Sequence, residues 1–296
     1  VDELCARGGD VEKFAKRLSF FFYVHMDFFE EIAKFRAGRR LWARFMKERY
    51  GVQDPKAQQF RFGVVCGGSS LVAQQPYNNV IRVAVETMAA AFGGAQSIFT
   101  CALDEAFQLP TDFSAELALR TQQVIAHESG IARSVDPLGG SYLLEQQTDL
   151  MEQKIVEIME EVDSYGGVIK AIEEGWMQAR LAQSALQRKL DTDSGETVIV
   201  GHNYFKKENE DMKAGDVFTL NPTVAKRATE KFETLLDTRN QVEVDKTLAK
   251  LAKAAADDSE NVMPYLIDCC HAYVSVGEMV ACLKKEWGEF QEPINL

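Results

Sequence analysis

The chain has 296 residues, 46% of them hydrophobic and 26% charged, enough for one large soluble domain or two ordinary ones with a sizeable core. Its net charge of −12 argues against a nucleic-acid binder, which needs a basic face. No apolar stretch approaches the ~20 residues that a membrane span requires.

Six cysteines (Cys5, Cys66, Cys101, Cys269, Cys270, Cys282) show no CxxC spacing. Neither a zinc site nor a disulfide framework follows, no metal site is expected, and reduced thiols in a cytoplasmic protein fit best. The opening "VDELCARGG" lacks the charged-then-apolar build of a signal peptide. It also lacks an initiator methionine, as a fragment or a processed product would.

Three short apolar, β-rich runs come in the first hundred residues: "LSFFFYVHM" (18–26), "FRFGVVC" (60–66) and "SIFTCA" (97–102). Such near-continuous runs suit parallel strands buried on both faces. Each leads into a helix. The first is predicted over 28–49, with Phe29, Ile32, Ala33, Leu41 and Phe45 inward. The second runs from Asn78 or Asn79, a natural N-cap, to Gly93-Gly94, with Val80, Val83, Ala84, Met88 and Ala91 as its stripe. The third runs from near Asp112 to before Gly130, with Leu117, Val124 and Ile125 among its apolar positions. "SVDPLGGSY" (134–142) reads as a fourth strand end and loop.

Strand–helix units at this spacing indicate parallel α/β architecture, and four of them make half of a (β/α)8 barrel. Beyond Leu143 long helices are predicted at 144–163 and 168–190, with "TVIVG" as one short strand. Charged helical stretches near 222–256 and 259–287 follow, and a composition shift marks a boundary at 205–220. The basic cluster "KFRAGRRLWARFMKERY" (34–50) reads as a solvated helix face or, more sharply, as attraction for an anionic ligand.

No GxGxxG, P-loop, HExxH or GxSxG is present. Of the four histidines (His25, His127, His202, His271), only His25 falls near the C-terminal end of a predicted strand, where barrel enzymes place their chemistry.

Longer motifs are more specific. "EIAKFRAGRRLWARFMKERYG", "QQPYNNVIRVAVETMAAAFGGAQS", "ALDEAFQLPTDFSAELALRTQQVIAHESG" and "DPLGGSYLLE" resemble the adenosylcobalamin-dependent acyl-CoA mutases of the methylmalonyl-CoA mutase family. "RLSFFF", "SGETVIVGHNYF" and "VGEMVACLKKEWGEF" extend the resemblance in order along the chain.

The resemblance implies a TIM-barrel-type fold, of which this chain carries the C-terminal half. Residues 1–143 would form the half-barrel, 144–205 helices packing on it, and 206–296 a helical linker-type region. It further implies an acyl-CoA bound through the barrel axis and adenosylcobalamin held by a separate domain that supplies the cobalt ligand. Radical 1,2 rearrangement of the carbon skeleton would then need the complementary half-barrel and a cobalamin-binding domain or subunit, a hetero-oligomer.

Residue by residue, the match assigns Arg17, Ser19 and Phe21 to coenzyme A, and Gln96 and Glu105 to positions facing substrate and adenosyl group. An ionised carboxylate at Glu105 suits ribose hydroxyls. Where the family typically reads Arg-x-His-x-Gln-Thr-x-Gly, this chain has "RFGVVCGG", which puts Gly63 at the histidine and Val65 at the glutamine. Cys101 replaces an asparagine and Phe99 a histidine before "DEA".

Four polar positions are thus glycine or apolar, and one inward face has been emptied. Two functions compete: a mutase for an acyl-CoA bulkier or more branched than methylmalonyl-CoA, or a non-catalytic scaffold subunit with a degenerate site.

Overall fold

The computed structural model describes residues 1–207, 218–219 and 221–293. The boundary expected at 205–220 lies largely outside the described residues. Two compact units are present, Val1–Phe218 and Thr219–Asn295.

The first unit opens with two short helices, α1 (Asp2–Ala6) and α2 (Val11–Phe14). Then strands and helices alternate: β1 (Phe20–Val24), α3 (Phe28–Glu48), β2 (Phe62–Cys66), α4 (Asn78–Gly93), β3 (Ser97–Phe99) and α5 (Asp112–His127). Helices α6 (Tyr142–Ser164), α7 (Val168–Glu173) and α8 (Trp176–Ser194) follow. The Asp27 side chain caps α3 by accepting from Glu30 N, and Gly94, left-handed at φ +85, ends α4 where a side chain would be strained.

The strands form one parallel sheet in the order β1-β2-β3. Its register aligns Phe21 with Gly63 and Ser97, and Tyr23 with Val65 and Phe99. Alternation sends the other set to the helices. Val24, Phe62, Val64 and Cys66 join Ile32, Phe35, Val83 and Ala90 in the main core. Aromatic rings dominate it, with Phe35 stacked on Phe62 at 4.9 Å and Phe20 against Phe60 at 4.8 Å. The opposite face is open: Phe21, Tyr23 and Phe99 are 74%, 61% and 57% exposed.

Several expectations need correction. Residues 134–142 form no strand; a short 3-10 turn (Ile131–Arg133) leads into a turn-rich loop. There Asp136, at φ +47, is pinned by the Arg36 guanidinium at 3.0 Å, and Pro137, Gly139 and Gly140 break any extended run. "TVIVG" makes only an isolated bridge, Val200 to Tyr204, because the Val200 carbonyl accepts from Arg82 at 2.7 Å instead. Gly175, at φ +76, divides the helix expected at 168–190.

Neither asparagine caps α4, whose N-cap is Tyr77. Its buried face is Asn79, Arg82, Val83, Glu86, Thr87, Ala89, Ala90 and Gly93, so of the expected stripe only Val83 is buried and polar residues share the face. On α3, Ile32, Ala33 and Leu41 are buried as expected but Phe29 is exposed.

Much of the basic cluster of α3 is engaged by acids of this chain rather than left for an anion. Arg36 bonds Asp136 and Glu145, Arg40 bonds Asp149 and Glu152, and Arg44 bonds Glu152, so α6 supplies most of the opposing charge.

The second unit comprises α9 (Pro222–Thr238), α10 (Gln241–Ala255), α11 (Met263–His271) and α12 (Val276–Trp287). Asn240 caps α10, and the Ser275–Glu278 capping box starts α12, which breaks both expected long stretches. Val244, Leu251, Cys269, Val274 and Met279 make its core. Beside them Arg239, 5% exposed in its side chain, binds Glu278 bidentately at 2.6 and 2.7 Å.

Arg239, with Ser275, lowers Glu278 from 4.5 to about 2. A depressed carboxyl contributes stability that is full above its unfolded pKa and lost as pH falls through the folded one. Allowing for the third of Glu278 that faces solvent, about 1–2 kcal/mol is at stake. Amides of α10 and α12, corrected for intrinsic rates, should lose roughly 5- to 30-fold of their exchange protection between pH 4.5 and 2. Glu278→Gln should flatten that dependence; an unchanged profile in the variant would refute the assignment.

Candidate active site

The C-terminal ends of the three strands enclose a cavity of about 410 Å3. Tyr23, Val65 and Phe99, one aligned layer of the sheet, form its apolar wall. His25, Cys66, Gly68, Ser69, Cys101 and Glu105 complete the lining, with no Lys or Arg among these residues.

Local sequence explains this convergence. Each strand ends in small or polar residues that turn toward the next helix, so side chains one or two positions past a strand gather at one rim. Within "DEA" the two acids divide. Asp104 is buried and accepts from Ser114 Oγ (2.8 Å), Gln108 and Thr111, anchoring the start of α5. Glu105 lines the cavity with one oxygen accepting from Ala102 N at 2.6 Å.

Cys101 is 5% exposed and donates to the Cys66 carbonyl at 3.0 Å. Burial pushes both thiols up to about 12, so they stay protonated and serve as wall rather than nucleophiles.

One layer down lie Phe21, Gly63 and Ser97. A Cβ on Gly63 would meet Ser97 Oγ at 2.7 Å and the Phe21 ring at 3.2 Å. The space freed at Gly63 is therefore filled by Phe21, and the open volume lies at Val65. Arg17 and Ser19, both exposed, sit before β1, four to six residues from Tyr23 and so at the sheet's opposite end. Gln96 precedes β3, where its amide accepts from Phe62 N (2.6 Å) and donates to Gly94 O (2.8 Å). The structure thus gathers Val65, Cys101 and Glu105, places Phe21 and Gly63 beside them, and keeps Arg17, Ser19 and Gln96 out of the cavity.

His25, singled out in the sequence by its place near a strand end, does line the cavity, while Ser70, Glu86 and Arg188 beside it escaped the sequence reading. His25 packs where a Gly67 side chain would stand, since a Cβ there would fall 2.2 Å from Nδ1. The same Nδ1 lies 3.4 Å from Ser70 Oγ. Burial pulls the His25 pKa down; Glu31 opposes this, and Arg188 and Lys34 add to it. Arg188, from α8, donates to Ser69 Oγ and O at 3.3 and 3.2 Å.

Behind Ser70, Glu86 is completely buried and neither oxygen completes a hydrogen bond among the described residues. Burial raises it to about 7, against the ionised form's support from the Ser70 hydroxyl and the Gly67 N–H. Its signal was available: a glutamate three residues after Val83 and four before Ala90 shares their buried face.

Against known proteins, the family model described as methylmalonyl-CoA mutase matches residues 1–289. The 2-hydroxyisobutanoyl-CoA mutase large subunit of Aquincola tertiaricarbonis is 41% identical over 292 residues, 99% of this chain and 52% of that protein. Mitochondrial methylmalonyl-CoA mutase of Homo sapiens is 40% identical over 283 residues, 95% of this chain and 38% of that protein. A methylmalonyl-CoA mutase of Cereibacter sphaeroides is 40% identical over 98% of this chain and 40% of its own length. The chain spans about half the length of the first of these relatives and less of the others. With the family model spanning residues 1–289 and relatives about 40% identical along nearly the whole chain, this chain belongs to the methylmalonyl-CoA mutase family.

Proposed function

We propose that this chain is the substrate-binding part of an adenosylcobalamin-dependent acyl-CoA mutase. It would contribute the three strand–helix units β1–α5 to a (β/α)8 barrel and act with a complementary part of the barrel and a cobalamin-binding domain or subunit, in the cytoplasm. Its substrate is an acyl-CoA bulkier or more branched than methylmalonyl-CoA.

The carrying observation is the wall of Tyr23, Val65, Phe99 and Cys101 with no cation among its lining residues. A substrate carboxylate there would meet no Lys or Arg among the lining residues and would lie beside the Glu105 carboxyl group in a largely apolar setting. An uncharged branched acyl group instead gains about 0.8 kcal/mol for each methylene it buries.

Coenzyme A would run along the open sheet face, from Arg17 and Ser19 past Phe21, leaving the acyl end at Val65. Adenosylcobalamin, when bound, supplies the radical chemistry. Glu105, with an oxygen not engaged by Ala102 N–H, fits a ribose hydroxyl of its adenosyl group, and Cys101 fits as a close, uncharged neighbour. The chain's own task is to orient the acyl group and exclude water behind the aromatic wall.

Assay of the assembled enzyme tests this. Pivaloyl-CoA, uncharged and with a quaternary Cα, should be preferred over methylmalonyl-CoA by at least tenfold in kcat/KM, and Val65→Gln should narrow that ratio. Val65→Gln is cleaner than Gly63→His, which must also displace Phe21. A preference for methylmalonyl-CoA would overturn the substrate assignment. Inactivity on every acyl-CoA despite bound cofactor would favour the scaffold role.

A further inference from the structure

Beside the cavity the mechanism leaves one buried acid unused. Glu86 on α4, Ser70 after β2 and His25 after β1 come from three separate segments and meet behind the rim. The Ser70 oxygen is 3.4 Å from His25 Nδ1, and its hydroxyl is near enough to favour the ionised Glu86, whose two buried oxygens complete no hydrogen bond among the described residues and so are left to take it. With Nδ1 turned to Ser70, Nε2 is the ring atom left for the cavity that His25 lines.

We propose that Glu86, Ser70 and His25 form a relay in which the buried carboxyl sets, through the Ser70 hydroxyl, which nitrogen of His25 carries the proton, so that His25 donates a hydrogen bond to an oxygen of the acyl thioester. The substrate half of this statement rests on the acyl-CoA reading above.

The proton accounting is simple. When Glu86 is protonated and closes onto Ser70, it donates to Ser70 Oγ, Ser70 donates to Nδ1, and Nε2–H points at the ligand. When Glu86 is ionised, Ser70 donates to it and accepts from Nδ1–H. Nε2 then carries a lone pair, which repels a carbonyl oxygen. The ring is neutral in both states and no proton passes to substrate. His25 would be the contacting residue, and Ser70 and Glu86 positioning residues.

Other charges surround the relay without replacing it. Glu31 and Lys34 of α3, an ion pair, and Arg188 of α8 act on His25. Glu31 and Arg188 also act on Glu86, and Arg82 lies one turn before it on α4. The neighbouring Cys66 and Cys101 thiols are neutral. With Glu86 raised to about 7, the donor tautomer should prevail below neutrality and the acceptor tautomer above it.

Nitrogen NMR of the full chain labelled with 15N-histidine tests the relay without cofactor or turnover, with His25→Gln identifying the resonances. The expected result is Nε2–H at pH 6 giving way to Nδ1–H by pH 8. Glu86→Gln, whose amide donates to Ser70 at any pH, should hold Nε2–H throughout. Ser70→Ala should abolish the dependence and Ser70→Thr restore it. Gly67→Ala provides an independent route, because its Cβ takes the place of Nδ1 and must swing the ring away, uncoupling it.

The contact to substrate is read on 13C-carbonyl pivaloyl-CoA bound to the assembled protein. Its carbonyl stretch should lie lower at pH 6 than at pH 8, and His25→Phe should remove the difference and weaken binding roughly fivefold. A His25 tautomer unmoved by pH, Ser70→Ala and Glu86→Gln overturns the relay and leaves the mutase reading standing. A coupled tautomer with a carbonyl stretch indifferent to His25→Phe overturns the donor role alone. Inactive assembled enzyme would defeat the mutase reading while leaving the NMR result intact.

Discussion

Asn79→Ala is expected to destabilise the first unit by about 3–6 kcal/mol, read as a shift of its denaturant midpoint. Asn79 is fully buried near the start of α4. Its Nδ2 donates to the carbonyls of Val72 (2.9 Å) and Leu103 (2.8 Å). Its Oδ1 accepts from Val72 N (3.2 Å) and Arg82 Nη1 (2.6 Å). One side chain thus fastens the loop after β2, the loop after β3 and a buried guanidinium to the same helix. Alanine satisfies none of them, and each orphaned buried group costs about 1–3 kcal/mol, less at half-buried Val72 where water reaches. Asn79→Asp separates the contributions, since it keeps the acceptor for Arg82 but aims a carboxylate oxygen at two carbonyls. A loss below about 1 kcal/mol for alanine would show that the loops are held by other means.

That residue also shows where reading the sequence stopped. An asparagine before an apolar helical stretch is ordinarily an N-cap, and local spacing offers nothing else. Its real partners sit seven residues earlier and 24 later, visible only once the loops are folded together. The three strands and their helices were legible because apolar runs, caps and Gly94 all act locally. A fourth strand was not there to find: Asp136 looks like ordinary loop chemistry until Arg36, 100 residues earlier, is placed against it. Within the site, Val65 in β2 and Cys101 and Glu105 past β3 could be anticipated from the family motifs that they match. Ser70 could not, since nothing in "GGSS" signals a histidine 45 positions away. Gln96 reads as a ligand contact and yet bonds backbone on both sides.

Covering the open sheet face should have the largest effect of all. Phe21, Tyr23 and Phe99 leave most of their rings in water. An aromatic side chain buries 150–250 Å2, so full cover of these three removes roughly 400 Å2, about 10 kcal/mol before the cost of association. Soluble proteins seldom leave such a face, or sheet edges like those of β1 and β3, bare. A complementary half-barrel polypeptide, co-expressed or mixed in, is therefore expected to raise the melting temperature by at least 10 °C. It should also abolish binding of a hydrophobic-surface dye. Sedimentation as a compact, cooperatively melting monomer, without dye binding and indifferent to the partner, would contradict this.

The aromatic block on the other side of the sheet bears on order in time. Phe20, Phe22, Phe35, Trp42, Phe60 and Phe62 touch ring to ring across β1, α3 and β2. All of them are present once residue 66 has been synthesised, and their loops are short enough to close cheaply. Strand β3 has only three residues, paired with Gly63, Val64 and Val65. On a ribosome, the nascent chain emerges in sequence, so β1, α3 and β2 can collapse around their rings before β3 and the loop after it have emerged. Strand β3 and the loops that shape the cavity then settle onto a platform already formed, and a mutation in the platform should slow folding where one in β3 mainly hastens unfolding.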